Sequence, residues 1–445
     1  MKEPMSHLYQ PFVALAITCA MMLHGPAAIA QENNQPPEGF TALFNGKDIE
    51  GWTGGKTEDP VKIKKNLEGM NDEQRKAYYA KINADINKNW SVANGELVST
   101  GKGLHLVTPE DYGDFEIWVD WKLMKAGGDS GIYVRDTPQV QIWDPNHKPA
   151  HKHGSDKGSG GLWNNKKHPR DPSQLADNPI GEWNRMYVRM VGQYCTVVLN
   201  GKKVVDNVVL ENFFNRKQPV YPAGRIHLQT HGSETRFRNV FVREIGDEES
   251  NKILKEIAGD EDGFSSIFNG KDFDGWTGRL DSFEVIDGAI VCKQGLKHNI
   301  FTAKAYSDYA VRMEFKLPPA GNSGLALRSP NAKGPDVEIQ VLDNTHPRYA
   351  KLPLNKRHAS IYAIAPAIDG YLRPVGQWNY QEVRVVGDHI TVDLNGYRVL
   401  DVHLSSVAPN HRATKLKQGH FGFLGHEDRV AFRNLWIKEI VSNES

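Results

Sequence analysis

The chain has 445 residues, of which 39% are hydrophobic and 24% charged, and its 54 basic and 54 acidic side chains leave a pI near 7.3. That length exceeds what one core serves and points to two domains of about 200 residues each. Balanced charge supplies no basic field for nucleic acid or an anionic membrane, so neither is an expected partner.

Residues 1–30 read as a signal peptide. Lys2 gives a positive start, Pro11 to Leu23 an apolar run, and Ala28-Ile29-Ala30 the small residues of a cleavage site before Gln31. The run is too short for a spanning helix, and no later segment reads as a membrane span. The expectation is an exported protein, periplasmic or extracellular. Cys19 raises a lipoprotein alternative, but Ile17-Thr18 before it lacks the small residues such a site usually has. Beyond this segment only Cys195 and Cys292 remain, at non-equivalent places, and they read as buried small hydrophobes rather than a disulfide.

The rest of the chain says nearly the same thing twice. Gly39-Phe40-Thr41-Ala42-Leu43-Phe44-Asn45-Gly46-Lys47-Asp48 with Gly51-Trp52 returns as Gly263-Phe264-Ser265-Ser266-Ile267-Phe268-Asn269-Gly270-Lys271-Asp272 with Gly275-Trp276. Trp183-Asn184 answers Trp378-Asn379, and Phe237-Arg238-Asn239 answers Phe432-Arg433-Asn434. The period is far longer than a solenoid repeat, so the expected organisation is a tandem pair, residues 36–246 and 263–441.

Within the first copy, residues 64–88 are rich in Lys, Glu, Ala and Asn and read as a helical insertion. Phe115 to Trp121 and Tyr187 to Val191 alternate at period two, as do Tyr309 to Phe315 and Glu382 to Val386 in the second copy, which is the signature of half-buried antiparallel strands. Asn200-Gly201 and Asn395-Gly396 lie between such runs and mark hairpins. Residues 247–262 read as a charged linker with a short helix from Glu249 to Ile257. The fold class is all-β, with each copy a two-sheet sandwich or jelly roll.

Chemistry-bearing residues cluster after a glycine-flanked turn. Asp129-Ser130-Gly131-Ile132-Tyr133-Val134-Arg135 leads to Gln139-Val140-Gln141-Ile142-Trp143-Asp144 in copy one; Asn322 to Arg328 leads to Glu338-Ile339-Gln340-Val341-Leu342-Asp343 in copy two. Alternation puts Glu338 with Gln340, and Gln139 with Gln141, on one sheet face while their neighbours point to the core. Arg135 and Arg328 end the adjoining strand and are expected to reach that face, as is Tyr133. Such a face is either a solvated surface or a hydrogen-bonding wall suited to sugar hydroxyls or a carbonyl. His231 and His426, each seven residues past Gly224 or Gly419, read as a general base, a metal ligand or a loop residue. His147, His151 and His153 with Asp156 read as a solvated loop, lacking the context of known metal sites. Trp163 and Tyr362 occupy corresponding places and could stack on a sugar ring.

Taken together, the Phe-Asn-Gly-Lys-Asp opening with Gly-Trp, the Ser-Gly-Ile-Tyr-Val-Arg strand, the Gln-Val-Gln-Ile-Trp-Asp run, the Gly-Glu-Trp-Asn turn and the closing Phe-Arg-Asn resemble the 3-keto-disaccharide hydrolase domain family, over both copies. The resemblance implies concanavalin A-like sandwiches, usually in exported proteins. It also implies action on glycosides oxidised to a ketone at carbon 3, as a lyase, hydratase or net hydrolase. A carbonyl at carbon 3 acidifies the proton on carbon 2; a base removes it, the enolate expels the group on carbon 1, and water adds across the double bond. The route needs a base, a donor or cation for the enolate oxygen, and an acid for the leaving group.

In copy two the residues suggest Glu338 or His426 as base, with Arg328 or a divalent metal at the enolate, and Asp343 (like Asp144 in copy one) at the site edge. In copy one Gln139 stands where Glu338 does and an amide is no base. His231 would then take that role while Gln139, Gln141 and Arg135 orient the sugar. The rival expectation is a non-catalytic carbohydrate-binding pair, since fold alone supplies no activity. A third divides the work, one copy binding and one reacting.

Overall fold

Short alternating segments broken by turn residues build four antiparallel sheets in the computed structural model, which describes residues 33–259, 263–330 and 336–441. The expected signal peptide and Cys19 lie outside these residues. In each half an eight-stranded sheet faces a five-stranded one, and the expected all-β pair of jelly-roll-like sandwiches is what forms. The five-stranded sheets carry the candidate residues. In the first half the strand order is Thr53–Gly55, His105–Val107, His227–Leu228, Asp129–Val134, Thr137–Trp143; in the second it is Trp276–Gly278, Asn299–Tyr306, Gly419–Gly425, Asn322–Ser329, Val337–Leu342.

The core of each half lies between its two sheets and follows the period-two pattern. Ile132, Val134, Val140 and Ile142 are fully buried beneath the first five-stranded sheet, as are Leu325, Leu327, Ile339 and Val341 beneath the second. Burying such side chains contributes roughly 1.5–3 kcal/mol each, so one face of every strand is fixed inward and the alternate residues are forced outward. Cys195 and Cys292 are both free and buried, as their composition suggested.

Two helical segments differ in detail from expectation. The insertion is a pair of helices, α1 (Pro60–Glu68) and α2 (Asp72–Asn89). Asn71 divides them: it caps α2 through a reciprocal capping box with Gln74. Ile82 and Ile86 of α2 close over Gly54, where a Cβ would come within 2.7 Å of the Ile86 side chain. The interdomain segment is no free linker either. Helix α3 (Asp247–Ala258) buries Ile253 and Leu254 against Val191 and Ile245 of the first half and Tyr380 of the second. Both halves belong to one compact unit.

Candidate functional site

On the second five-stranded sheet, Glu338 and Gln340 point away from the core, and the register sets them opposite Ala326 and Gly324. The Glu338 side chain lies across Gly324: a Cβ there would sit 2.2 Å from Oε1. Glycine is required because the carboxylate occupies the space a side chain would fill. Leu424, on the next strand, stands opposite Gly324 from the other side, and His426 follows two residues later on the same face. The result is a pair, His426 Nε2 to Glu338 Oε1 at 3.9 Å. Burial alone pushes the Glu338 carboxyl up to about 7, and burial pulls the His426 imidazole below its ordinary value. Gln340 Nε2 donates to Asn322 Oδ1 at 2.9 Å, completing a row of neutral amides beside the pair.

The first half holds a different arrangement on the same frame. Gln139 donates to Gln141 Oε1, Gln141 Nε2 donates to Asp129 Oδ1 at 2.8 Å, and Asp129 Oδ2 meets His231 Nδ1 at 3.0 Å. That last hydrogen bond raises the His231 pKa, outweighing partial burial. Gln139 lies over Gly131 as Glu338 lies over Gly324. The halves have therefore exchanged a carboxylate: Asp129 and Gln139 in one, Asn322 and Glu338 in the other.

Tyr133, named from the sequence, lies on the first-half face and is joined there by His105, His227 and Gln229, which repetition in the sequence could not flag. Tyr133 stacks on His227 at 5.1 Å between ring centres and meets His105 edge-on at 5.0 Å. The Tyr133 hydroxyl bonds Thr57 at 2.7 Å and accepts from Gln229. His227 Nε2 contacts Asp136, which also holds Arg225. Burial pulls the His105 imidazole down to about 3, leaving it neutral. By register His227 corresponds to Gly422, so a comparison of copies discards it.

Several expected site residues are elsewhere. Arg135 and Arg328 do not reach the face. Each has left-handed backbone, φ +54 and +47, which swings the side chain off the strand's alternation. Arg135 is fully buried: Nε donates to Gly113 O at 2.8 Å, Nη1 to Gly192 O at 2.6 Å, and Nη2 to Asp114 at 2.9 Å. Arg328 does likewise with Ser307 O and Asp308, both at 2.6 Å. They clamp one sheet to the loops of the other, and Gly224 and Gly419 are retained because a Cβ at either would strike the arginine backbone.

Asp144 and Asp343 are loop braces, not edge ligands. Asp144 accepts from Gly127 N and Asn146 N; Asp343 accepts from Ala320 N and from the backbone and hydroxyl of Thr345. Both carboxylates are buried, 3% and 2% exposed, and face the loops they brace. Among the described residues no three His, Cys, Asp or Glu side chains are grouped to hold a metal ion.

Trp163 and Tyr362 do flank the site. Their backbone N–H groups donate to Gln139 O and Glu338 O, their neighbours Leu162 and Ile361 are buried in the core, and their rings remain 42% and 41% exposed. Two cavities adjoin helices, and the second takes in Asp136 and Arg225. One of about 470 Å³ sits between α3 and Trp436, and one of about 620 Å³ between α1 and residues 221–225.

Both halves match a family model described as the 3-keto-alpha-glucoside-1,2-lyase-like domain, over residues 39–243 and 263–438. A protein of Bacteroides thetaiotaomicron named 3-keto-disaccharide hydrolase is 30% identical over 229 residues, which cover 40% of this chain and 79% of that protein. Among solved structures, a candidate glycosyl hydrolase of Parabacteroides distasonis is 24% identical with a TM-score of 0.36, covering 40% of this chain and 94% of its own. The carbohydrate-binding module CBM66 of Bacillus subtilis is 13% identical with a TM-score of 0.27, over 37% and 96%.

Proposed function

The chain belongs to the 3-keto-alpha-glucoside-1,2-lyase-like family, and from that membership we propose that it cleaves 3-keto-glycosides. The reaction is proton removal at carbon 2 and elimination at carbon 1, with hydration completing net hydrolysis. The observation that carries the reading is the Glu338–His426 pair. A carboxylate desolvated until its pKa is about 7 is a far stronger base than an ordinary one, and still largely ionised just above neutrality.

Glu338 takes the proton from carbon 2. As the negative charge moves to the oxygen on carbon 3, the side-chain amide of Asn322, held through its carbonyl by Gln340, is the neutral donor on the same face. The 3.9 Å between Glu338 and His426 is too long for a hydrogen bond, so neither group is tied to the other and both can reach a hydroxyl or water placed beside them. His426 passes the proton on to the departing oxygen. Tyr362 beside Glu338 offers its ring to the sugar. No matched pair of carboxylates is needed, because the bond is broken by elimination rather than through an oxocarbenium ion. An exported location is part of the proposal and rests on the apolar segment and Ala28-Ile29-Ala30.

The test is leaving-group release from a 3-keto-glucoside. Glu338→Gln is expected to slow it by at least about 100-fold. Unchanged turnover would remove Glu338 from the reaction. Tight binding of sugars with no turnover by the unaltered protein would favour a binding module instead.

A further inference from the structure

The exchange of carboxylates between the halves has a chemical consequence. Resting on the elimination reading above, we propose that the first half is a second catalytic centre of opposite polarity, which adds water to the unsaturated 3-ketosugar that the second half releases.

The two pairs hold their histidines by opposite nitrogens. In the second half Nε2 faces the carboxylate across an open gap. In the first, Nδ1 is bonded to Asp129, and Nε2 is left for a reactant on a ring that is 61% exposed. An Nδ1–carboxylate bond stabilises the imidazolium, which favours His231 Nε2 as the proton donor once the ring is charged. Asp129 is itself fixed by Gln141, which Gln139 holds in turn. Gln139 fills the place of Glu338 with a group that accepts no proton, so the first half has lost the base of the elimination and retains a histidine whose charged form its carboxylate favours. The charged or titratable groups around His231 are Asp129 and His105; His105 is neutral and buried and adds no competing charge at neutral pH.

Hydration needs that polarity. The oxygen of water bonds carbon 1, and the electrons of the carbon 1–carbon 2 double bond move through the ketone as an enolate. Carbon 2 then takes the proton from His231 Nε2, and the proton lost by the water restores the histidine. One water is consumed, and nothing is oxidised or reduced. The neutral His105 and Gln229 beside the pair, both nearly buried, offer imidazole nitrogen and amide groups to an uncharged sugar.

The experiment uses the full chain and two substrates, a 3-keto-glucoside with a chromogenic leaving group and the isolated unsaturated 3-ketosugar. The unaltered protein is expected to release the leaving group without accumulating the enone absorbance. His231→Gln and Asp129→Asn, at partly exposed positions, are expected to release the leaving group while the enone accumulates, and to hydrate the isolated enone at least about 100-fold more slowly. Glu338→Gln is expected to hydrate the supplied enone while failing to release the leaving group. The proposal is overturned if both first-half variants hydrate the enone at the unaltered rate, or if Glu338→Gln abolishes hydration as fully as elimination. No release by the unaltered protein would instead sink the elimination reading itself.

Discussion

Glu338 lies over Gly324 so closely that a Cβ would stand 2.2 Å from its Oε1. The glycine backbone is ordinary extended strand, so its purpose is space and not conformation. Gly324→Ala should therefore displace the end of a flexible carboxylate at little structural cost. The expected outcome is a turnover loss of about 100-fold with a melting temperature changed by only a few degrees. Kinetics and thermal denaturation on the same preparation check it. Equal collapse of both would make Gly324 a folding residue.

The raised Glu338 pKa is also a statement about stability. Its folded-state value of about 7 lies above the ordinary 4.5, so the folded state holds the proton more tightly than the unfolded one. The protonated form carries no penalty below about pH 4.5; the cost of the buried charge grows as pH rises and is complete above about 7. Glu338→Gln is then expected to match the unaltered protein at pH 4 and to exceed it at pH 8 by on the order of 3 kcal/mol. Denaturant titrations at the two pH values decide this. A gain that is the same at both would mean that the carboxyl is not desolvated.

The halves are joined by a buried hydrogen bond from Arg135 Nη1 to the Tyr397 hydroxyl at 2.5 Å. Tyr397→Phe removes the partner from a guanidinium that stays buried, and should cost about 1–3 kcal/mol. Arg135→Met should cost more, about 3–5 kcal/mol, because Asp114 loses the nearer of its two cations and the carbonyls of Gly113 and Gly192 lose their donor. Chemical denaturation of the whole chain measures both. A neutral Tyr397→Phe would show that the contact is incidental.

Asp343 braces its loop by accepting from Ala320 N and from Thr345. Asp343→Asn turns one acceptor into a donor facing another donor, with an expected cost of about 1–3 kcal/mol. Turnover per folded molecule should not change. A loss of turnover without a loss of stability would return Asp343 to the site.

How much of this was legible in the sequence depends on the kind of signal. Period-two alternation placed Glu338, Gln340, Gln139 and Gln141 on the outer face, because burial of Ile339, Val341, Val140 and Ile142 leaves no other choice. Asn200-Gly201 and Asn395-Gly396 marked turns whose four residues all have positive φ. Arg135 and Arg328 were misplaced for one reason: alternation assumes extended backbone, and both sit where the strand turns left-handed. Repetition pointed to the arginines, yet what it detected was a clamp shared by the fold. The same filter hid His105 and His227, which occur in one half only. Asp129 was in view at the head of its strand but was given no role, since its bond to His231 depends on strand order that no local pattern carries.

The central claim is that Glu338 removes the proton from carbon 2, and hydrogen exchange at that carbon tests it without waiting for the later steps. A 3-keto-glucoside incubated in heavy water with the unaltered chain should gain deuterium at carbon 2 or be consumed through that carbon, with the rate rising as pH passes about 7. With Glu338→Gln both exchange and consumption should fall to the level of buffer alone. Exchange that continues at the unaltered rate in that variant would contradict the account.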